Sequence, residues 1–194
     1  MRLAAAILPV LALAACKPPP TDAAIVAGDT PERARPSEPI ASPDTEGAVW
    51  GNSQTPQRIL YGLPGKPPML ALGCAQGPHG PVIRITRFAL ADHGAGAFAA
   101  LIGNGHISRI PIDAKEVGGV SVWQAEIPAI DPKLEVLTGR REIAVTIPGA
   151  GRLVLNPSAR PGEVVEACRA LAPPPPATAP VSVAAAPAPS AYRR

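Results

Sequence analysis

Apolar and polar residues alternate in short stretches through the middle of the chain. Leu70, Leu72 and Cys74 share one face, Ile83 and Ile85 stand against Arg84 and Thr86, and Ile143, Val145 and Ile147 stand against Glu142, Ala144 and Thr146. A period of two marks a half-buried β-strand, because successive side chains of an extended backbone point to opposite faces. Further strands are expected over 121–127 and 152–155. Asn104-Gly105 separates the apolar run 98–102 from 106–112, and Asn-Gly suits a two-residue turn whose central residues both need positive φ, so a hairpin is predicted there. Gly118-Gly119 and Gly149-Ala150-Gly151 mark further turns.

Two stretches break the period. Asp131-Pro132 supplies a cap and a first-turn proline for a short helix over about 131–138, which carries Leu134 and Leu137 and ends at Gly139. Over about 161–171, Val164, Val165, Cys168 and Leu171 recur at helical spacing while Glu163, Glu166 and Arg169 point elsewhere. The expected fold class is therefore mainly β. It is a single antiparallel β-sandwich or curled sheet over 49–172, with a short helix and a C-terminal helix packed on it.

Proline limits how far that domain extends. The 27 prolines among 194 residues far exceed the usual share of about 5%, and a folded interior cannot hold so many residues without a backbone donor. Residues 17–48 and 173–194 concentrate them with Ala and, in the first segment, charge. Both are expected to be disordered, the first as a tether and the second as a Pro/Ala-rich tail.

Ahead of the tether, Met1-Arg2 is followed by the uncharged, Ala/Leu-rich run 3–15. That run is shorter than the roughly 20 apolar residues a membrane span needs, so 1–15 reads as a signal peptide. Its end, Leu13-Ala14-Ala15-Cys16, resembles the bacterial lipobox. The resemblance implies cleavage before Cys16, a diacylglyceryl group on its thiol, and a domain held in the periplasm of a Gram-negative bacterium. Lys17, standing where an inner-membrane retention signal has Asp, implies sorting to the outer membrane. Ordinary cleavage after Ala12-Leu13-Ala14 is the other reading of the same residues. The C-terminal Tyr192-Arg193-Arg194 resembles the Tyr-Arg-Lys end of Braun-type lipoproteins, but a guanidinium in place of the terminal amine is no nucleophile, which argues against covalent attachment to the cell wall.

With Cys16 lipidated, Cys74 and Cys168 remain, each on the apolar side of its own element. In an oxidising compartment they are expected to form a disulfide, with two buried free thiols as the alternative. The formal charge of +3 is spread out, and only two each of Phe, Trp and Tyr are present. The clustered basic residues and stacking aromatics of a nucleic-acid protein are lacking. No metal or other cofactor is expected, because neither the cysteines nor His79, His93 and His106 form close ligand pairs.

No catalytic residue is nominated. Gly62-Leu63-Pro64-Gly65-Lys66 runs into Pro67-Pro68 instead of a Ser or Thr and a helix, so it reads as a turn and not a phosphate loop. Asp92-His93 has no serine elbow to serve, and Glu126, Asp131 and Glu135 read as solvated charge around a strand end and a helix cap. Trp123 is the residue with two readings: facing inward it is core, and facing outward it is the best anchor for a ligand or partner.

The order of these features is similar to that of the two-cysteine β domains of the VasI-like and IalB-like envelope families. The counterparts are Leu72-Gly73-Cys74, the strands to Ile127, a helix over 131–137, a strand over 142–147, and Val164 to Cys168. The likeness is one of layout and implies fold and compartment only. The chain also resembles lipoproteins of alphaproteobacteria. The expected function is a non-catalytic interaction or envelope-assembly module, joined to the membrane through Cys16 and meeting an envelope protein or the cell wall. The alternatives are a small-molecule or glycan binding module using Trp123 or Trp50, and a cryptic hydrolase.

Overall fold

Nine strands follow one another: β1 (Val49–Asn52), β2 (Arg58–Gly62), β3 (Leu70–Gly77), β4 (Gly80–Leu90), β5 (Gly96–Gly103), β6 (His106–Val117), β7 (Val120–Pro128), β8 (Ile143–Ile147) and β9 (Gly151–Leu155). A 3-10 helix, Pro132–Leu137, separates β7 from β8, and helix α1 (Arg160–Arg169) follows β9. The computed structural model describes residues 37–172. The expected signal peptide, Cys16, the tether as far as residue 36 and the tail from residue 173 lie outside the described residues.

All nine strands join one antiparallel sheet in the order β1-β2-β3-β4-β7-β6-β5-β8-β9. The mainly β, curled-sheet expectation holds. Two turns are set by the residues read from the sequence. Asn104 and Gly105 take φ of 51° and 83° between β5 and β6, and Gly118 and Gly119 take 61° and 79° between β6 and β7. These left-handed conformations match the twist of the flanking strands.

Alternation places one side of every long strand inward. Leu70, Leu72, Ile83, Ile85, Leu101, Ile110, Ile112, Val145 and Leu153 are all buried in one core. The two ends of the sheet meet at Tyr61 of β2, whose hydroxyl donates to the Val154 carbonyl of β9 (2.9 Å) and accepts from the Asn156 amide (3.0 Å). This side-chain link brings β2 beside β9, while β1 and β9 remain the terminal strands of the sheet.

One end of the curl is covered by the helices. Ser108 Oγ donates to the Lys133 carbonyl (2.7 Å) and Asn104 Nδ2 to the Val136 carbonyl (2.9 Å), which docks the 3-10 helix on β6 and the β5–β6 turn. Gly139 allows this approach, since a Cβ there would collide with the Asn104 side-chain amide. The short helix starts as expected, with Asp131 Oδ1 accepting from the Lys133 amide at 2.8 Å. Helix α1 buries Val165 and Cys168.

Two boundaries differ from expectation. The terminal helix ends at Arg169, and Leu171 lies outside it, 55% exposed. The residues bonded to the fold reach back at least to Ser37, ahead of the expected residue 49. The amide of Ile40 donates to the Gly149 carbonyl (2.8 Å), Ser42 Oγ accepts from the Arg152 amide (2.9 Å), and Asn156 Nδ2 donates to the carbonyls of Thr45 and Ala48 (2.9 Å each). Residues 37–48 therefore belong to the fold and not to a free tether. Isolated backbone and side-chain bonds hold them, and these leave no periodic pattern in a sequence.

Candidate interaction face

The sequence-nominated residues separate clearly in space. Cys74 on β3 and Cys168 near the end of α1 lie at disulfide distance, with sulfurs 2.00 Å and Cα atoms 5.4 Å apart. Because Cys74 pairs with the buried Ile83 and α1 packs over β3 and β4, the pair ties the terminal helix to the sheet.

Trp123 faces inward and is 6% exposed. Its strand position pairs with Arg87, which is also buried and donates from Nη1 to the Met69 carbonyl at 2.9 Å. Burial lowers the pKa of that guanidinium from its ordinary value, but the group stays charged. Trp50 is half-buried against Tyr61, ring centroids 5.1 Å apart. Neither indole Nε1 has a hydrogen-bond partner among the described residues. Both tryptophans thus serve the core.

Two depressions of about 360 Å³ each open on the surface, and neither is lined by a tryptophan. One lies on the outer side of β3 and β4, floored by Ala71 and Gly73 and walled by Arg58, Arg84, Thr86 and Gln124. The other lies between α1 and the β1–β2 turn, beside Asn52, Gln57, Arg160 and Val164.

The remaining polar candidates are occupied by structural bonds. Asp92 accepts from both the amide and the hydroxyl of Ser37, which holds its carboxyl below the ordinary value and fastens the start of the domain. Glu126 pairs with Arg84 (2.7 Å), and Glu135 pairs with Arg169 (2.7 Å) while accepting from Thr138 Oγ1 (2.9 Å). The Arg169 bond first, and the Thr138 bond second, lower the pKa of Glu135. His79, His93 and His106 are all exposed. Among the described residues no cluster of three His, Cys, Asp or Glu side chains is arranged to hold a metal ion.

The feature that the sequence reading did not nominate lies on the outer side of β5 and its neighbours. Phe98, Ile102 and Ile107 are 61%, 53% and 72% exposed. In the sheet register Phe98 stands opposite Pro111, and Ile102 opposite Ile107 on one side and Ala144 on the other, with Val154 opposite Ala144. The row between them is Arg109, Ala100, Thr146, Arg152. An antiparallel sheet with one solvated face normally turns polar side chains outward. Here the strand order places apolar ones from four strands in two rows, one on each side of the row from Arg109 to Arg152. Contiguous apolar area on an outer surface marks a contact site far more often than scattered exposed residues do.

Fold and face define a curled antiparallel β domain, tied to its terminal helix by a cysteine pair and carrying one apolar outer side. Compared with known protein families, curated proteins and solved structures, the chain matches none.

Proposed function

We propose that the chain is a lipid-tethered, non-catalytic interaction module of the bacterial cell envelope. In this reading Cys16 carries the lipid, and the domain meets another envelope component through the outer side of β5 and β6. The observation that carries the proposal is the exposed apolar set Phe98, Ile102 and Ile107 on paired strands. The fold does not need these side chains outward, since the opposite positions Ala99, Leu101, Ser108 and Ile110 already fill the core side. Leu13-Ala14-Ala15-Cys16 supports the tether. The alternative of a ligand site built on an indole loses its main support, because Trp123 is buried and neither tryptophan lines a depression described above.

The test is photo-crosslinking in a bacterial envelope from a photoreactive residue at position 107, with position 79 in the β3–β4 turn as control. Reproducible adducts from 107 and none from 79 are expected, together with a diacylglyceryl mass on Cys16. No adduct from either position would overturn the interaction reading, and an unmodified thiol at Cys16 would overturn the tether.

A further inference from the structure

The apolar side carries charge of one sign. Arg109 and Arg152 stand at opposite ends of one cross-strand row, separated only by Ala100 and Thr146. Both are exposed, and neither is in a salt bridge among the described residues. The neighbouring rows hold Ile107 and Ile102 on one side and Pro111 and Phe98 on the other. None of the three rows as paired across β6, β5, β8 and β9 contains a carboxylate; Asp113, beyond Pro111 on β6, and Glu126 of β7, which shares a depression with Pro111 and is paired with Arg84, border the face.

We propose that this side docks on an anionic lipid bilayer. Phe98, Ile102 and Ile107 enter the boundary between headgroups and acyl chains, and Arg109 and Arg152 lie against lipid phosphates. Apolar side chains set beside arginines are the composition that an anionic membrane surface selects. A second copy fits the face poorly, because self-packing about a two-fold axis would bring two arginine rows together with no carboxylate between them. The proposal deepens the function proposed above and rests on it in keeping a bilayer within reach. The 20 residues between Cys16 and Ser37 can span at most about 70 Å. Tethering also raises the local concentration of the face at that bilayer, so weak intrinsic affinity suffices.

The test uses the mature chain, residues 16–194, carrying Cys16→Ser, so that neither the apolar leader nor an acyl chain contributes, in cosedimentation with vesicles. One vesicle set contains phosphatidylglycerol and phosphatidylethanolamine, and the other phosphatidylcholine alone. Partition into the anionic vesicles is expected to be roughly tenfold or more stronger and to fall as salt rises. The pairs Phe98→Ser/Ile107→Ser and Arg109→Gln/Arg152→Gln should each lower it by about tenfold, with circular dichroism and thermal unfolding unchanged. Equal partition into both vesicle sets, or partition that neither pair alters, would overturn the proposal. So would a dimer in sedimentation velocity that the same pairs abolish, which would give the face to a second copy. Failure here leaves the tether untouched, because the tether is read separately from the mass of Cys16 in the unsubstituted chain.

Discussion

On the outer side of β3, β4 and β7, polar groups face one another in register. Arg84 stands opposite Glu126 and bonds it at 2.7 Å, Thr86 Oγ1 lies 3.3 Å from Gln124 Oε1, and Ala71 and Gly73 form the floor beside them. On the outer side of β6, β5 and β8 the equivalent positions hold Ile107, Ile102 and Ala144, with Phe98 and Pro111 four residues away along the strands, beyond Ala100 and Arg109. The inner sides of the two regions are alike, filled with Leu, Ile, Val and Ala. What differs is therefore not what folds the sheet but what each region presents. The first region pairs Arg84 with Glu126 and Thr86 with Gln124 across its strands, and the second leaves Phe98, Ile102 and Ile107 exposed.

The largest effect expected concerns the bond beneath the first region. Cys74 and Cys168 are separated by 94 positions, and loop-closure entropy assigns such a crosslink about 4 to 5 kcal/mol. Reduction, or the pair Cys74→Ala/Cys168→Ala, should lower the unfolding free energy in urea by that order. Hydrogen exchange should then show α1 and the nearby ends of β3 and β4 opening before β5 and β8. A loss under about 1 kcal/mol, or uniform opening, would mean that α1 is held by packing alone and that the two regions are not tied differently.

A sharper test compares two neighbours on β5. Leu101 is 1% exposed and Ile102 is 53% exposed. Leu101→Ala should cost about 2 to 5 kcal/mol through lost burial and the cavity left behind, whereas Ile102→Ala should stay within about 0.5 kcal/mol. If both cost the same, Ile102 is part of the core and the apolar outer side dissolves as a concept.

That pair also shows where the sequence was legible. The turns were, because Asn104-Gly105 and Gly118-Gly119 name the backbone conformation they adopt. Cys74 and Cys168 were, because each falls on the apolar side of a periodic element. The outer face was not: 98–102 is apolar at both parities, and such a run looks the same whether its neighbours cover one side or two. Which side stays open depends on β5 lying between β6 and β8, a nonlocal fact. The direction of Trp123 was undecided for the same reason, since register sets it beside Arg87. Residues 37–48 escaped because Asp92, Gly149 and Asn156, all distant in sequence, hold them.

Tyr61 closes the sheet between the two regions, and its removal should have an intermediate effect. Tyr61→Phe leaves the Val154 carbonyl and Asn156 amide without their shared hydroxyl, at a cost of about 1 to 3 kcal/mol in thermal or urea unfolding. Burial raises the phenol pKa; the bond from Asn156 acts in the opposite direction, and Glu142 adds to the rise. A raised folded value means that this contribution is present below about pH 10 and is lost as pH rises through the folded pKa. The wild type should therefore lose stability at high pH more steeply than Tyr61→Phe. Identical alkaline limbs would show that the hydroxyl is not what joins β2 to β9.

The smallest effect is expected where the helices join the two regions. Arg169 of α1 donates to the Ala129 carbonyl after β7 (2.9 Å) and to Glu135 on the 3-10 helix beneath β6 (2.7 Å). The Arg169 bond, ahead of the Thr138 bond, lowers the Glu135 pKa, so the pair stabilises the fold above the ordinary carboxylate range. That contribution is lost as pH falls through the depressed folded value. Glu135 is 39% exposed at its side chain, so solvent screening limits the effect to well under 1 kcal/mol. Glu135→Gln should flatten the acid limb of a pH titration of stability slightly and leave the neutral region nearly unchanged. If Glu135→Gln instead loosens α1 as much as reduction of the cysteine pair does, then the ion pair, not the covalent bond, couples the terminal helix to the sheet.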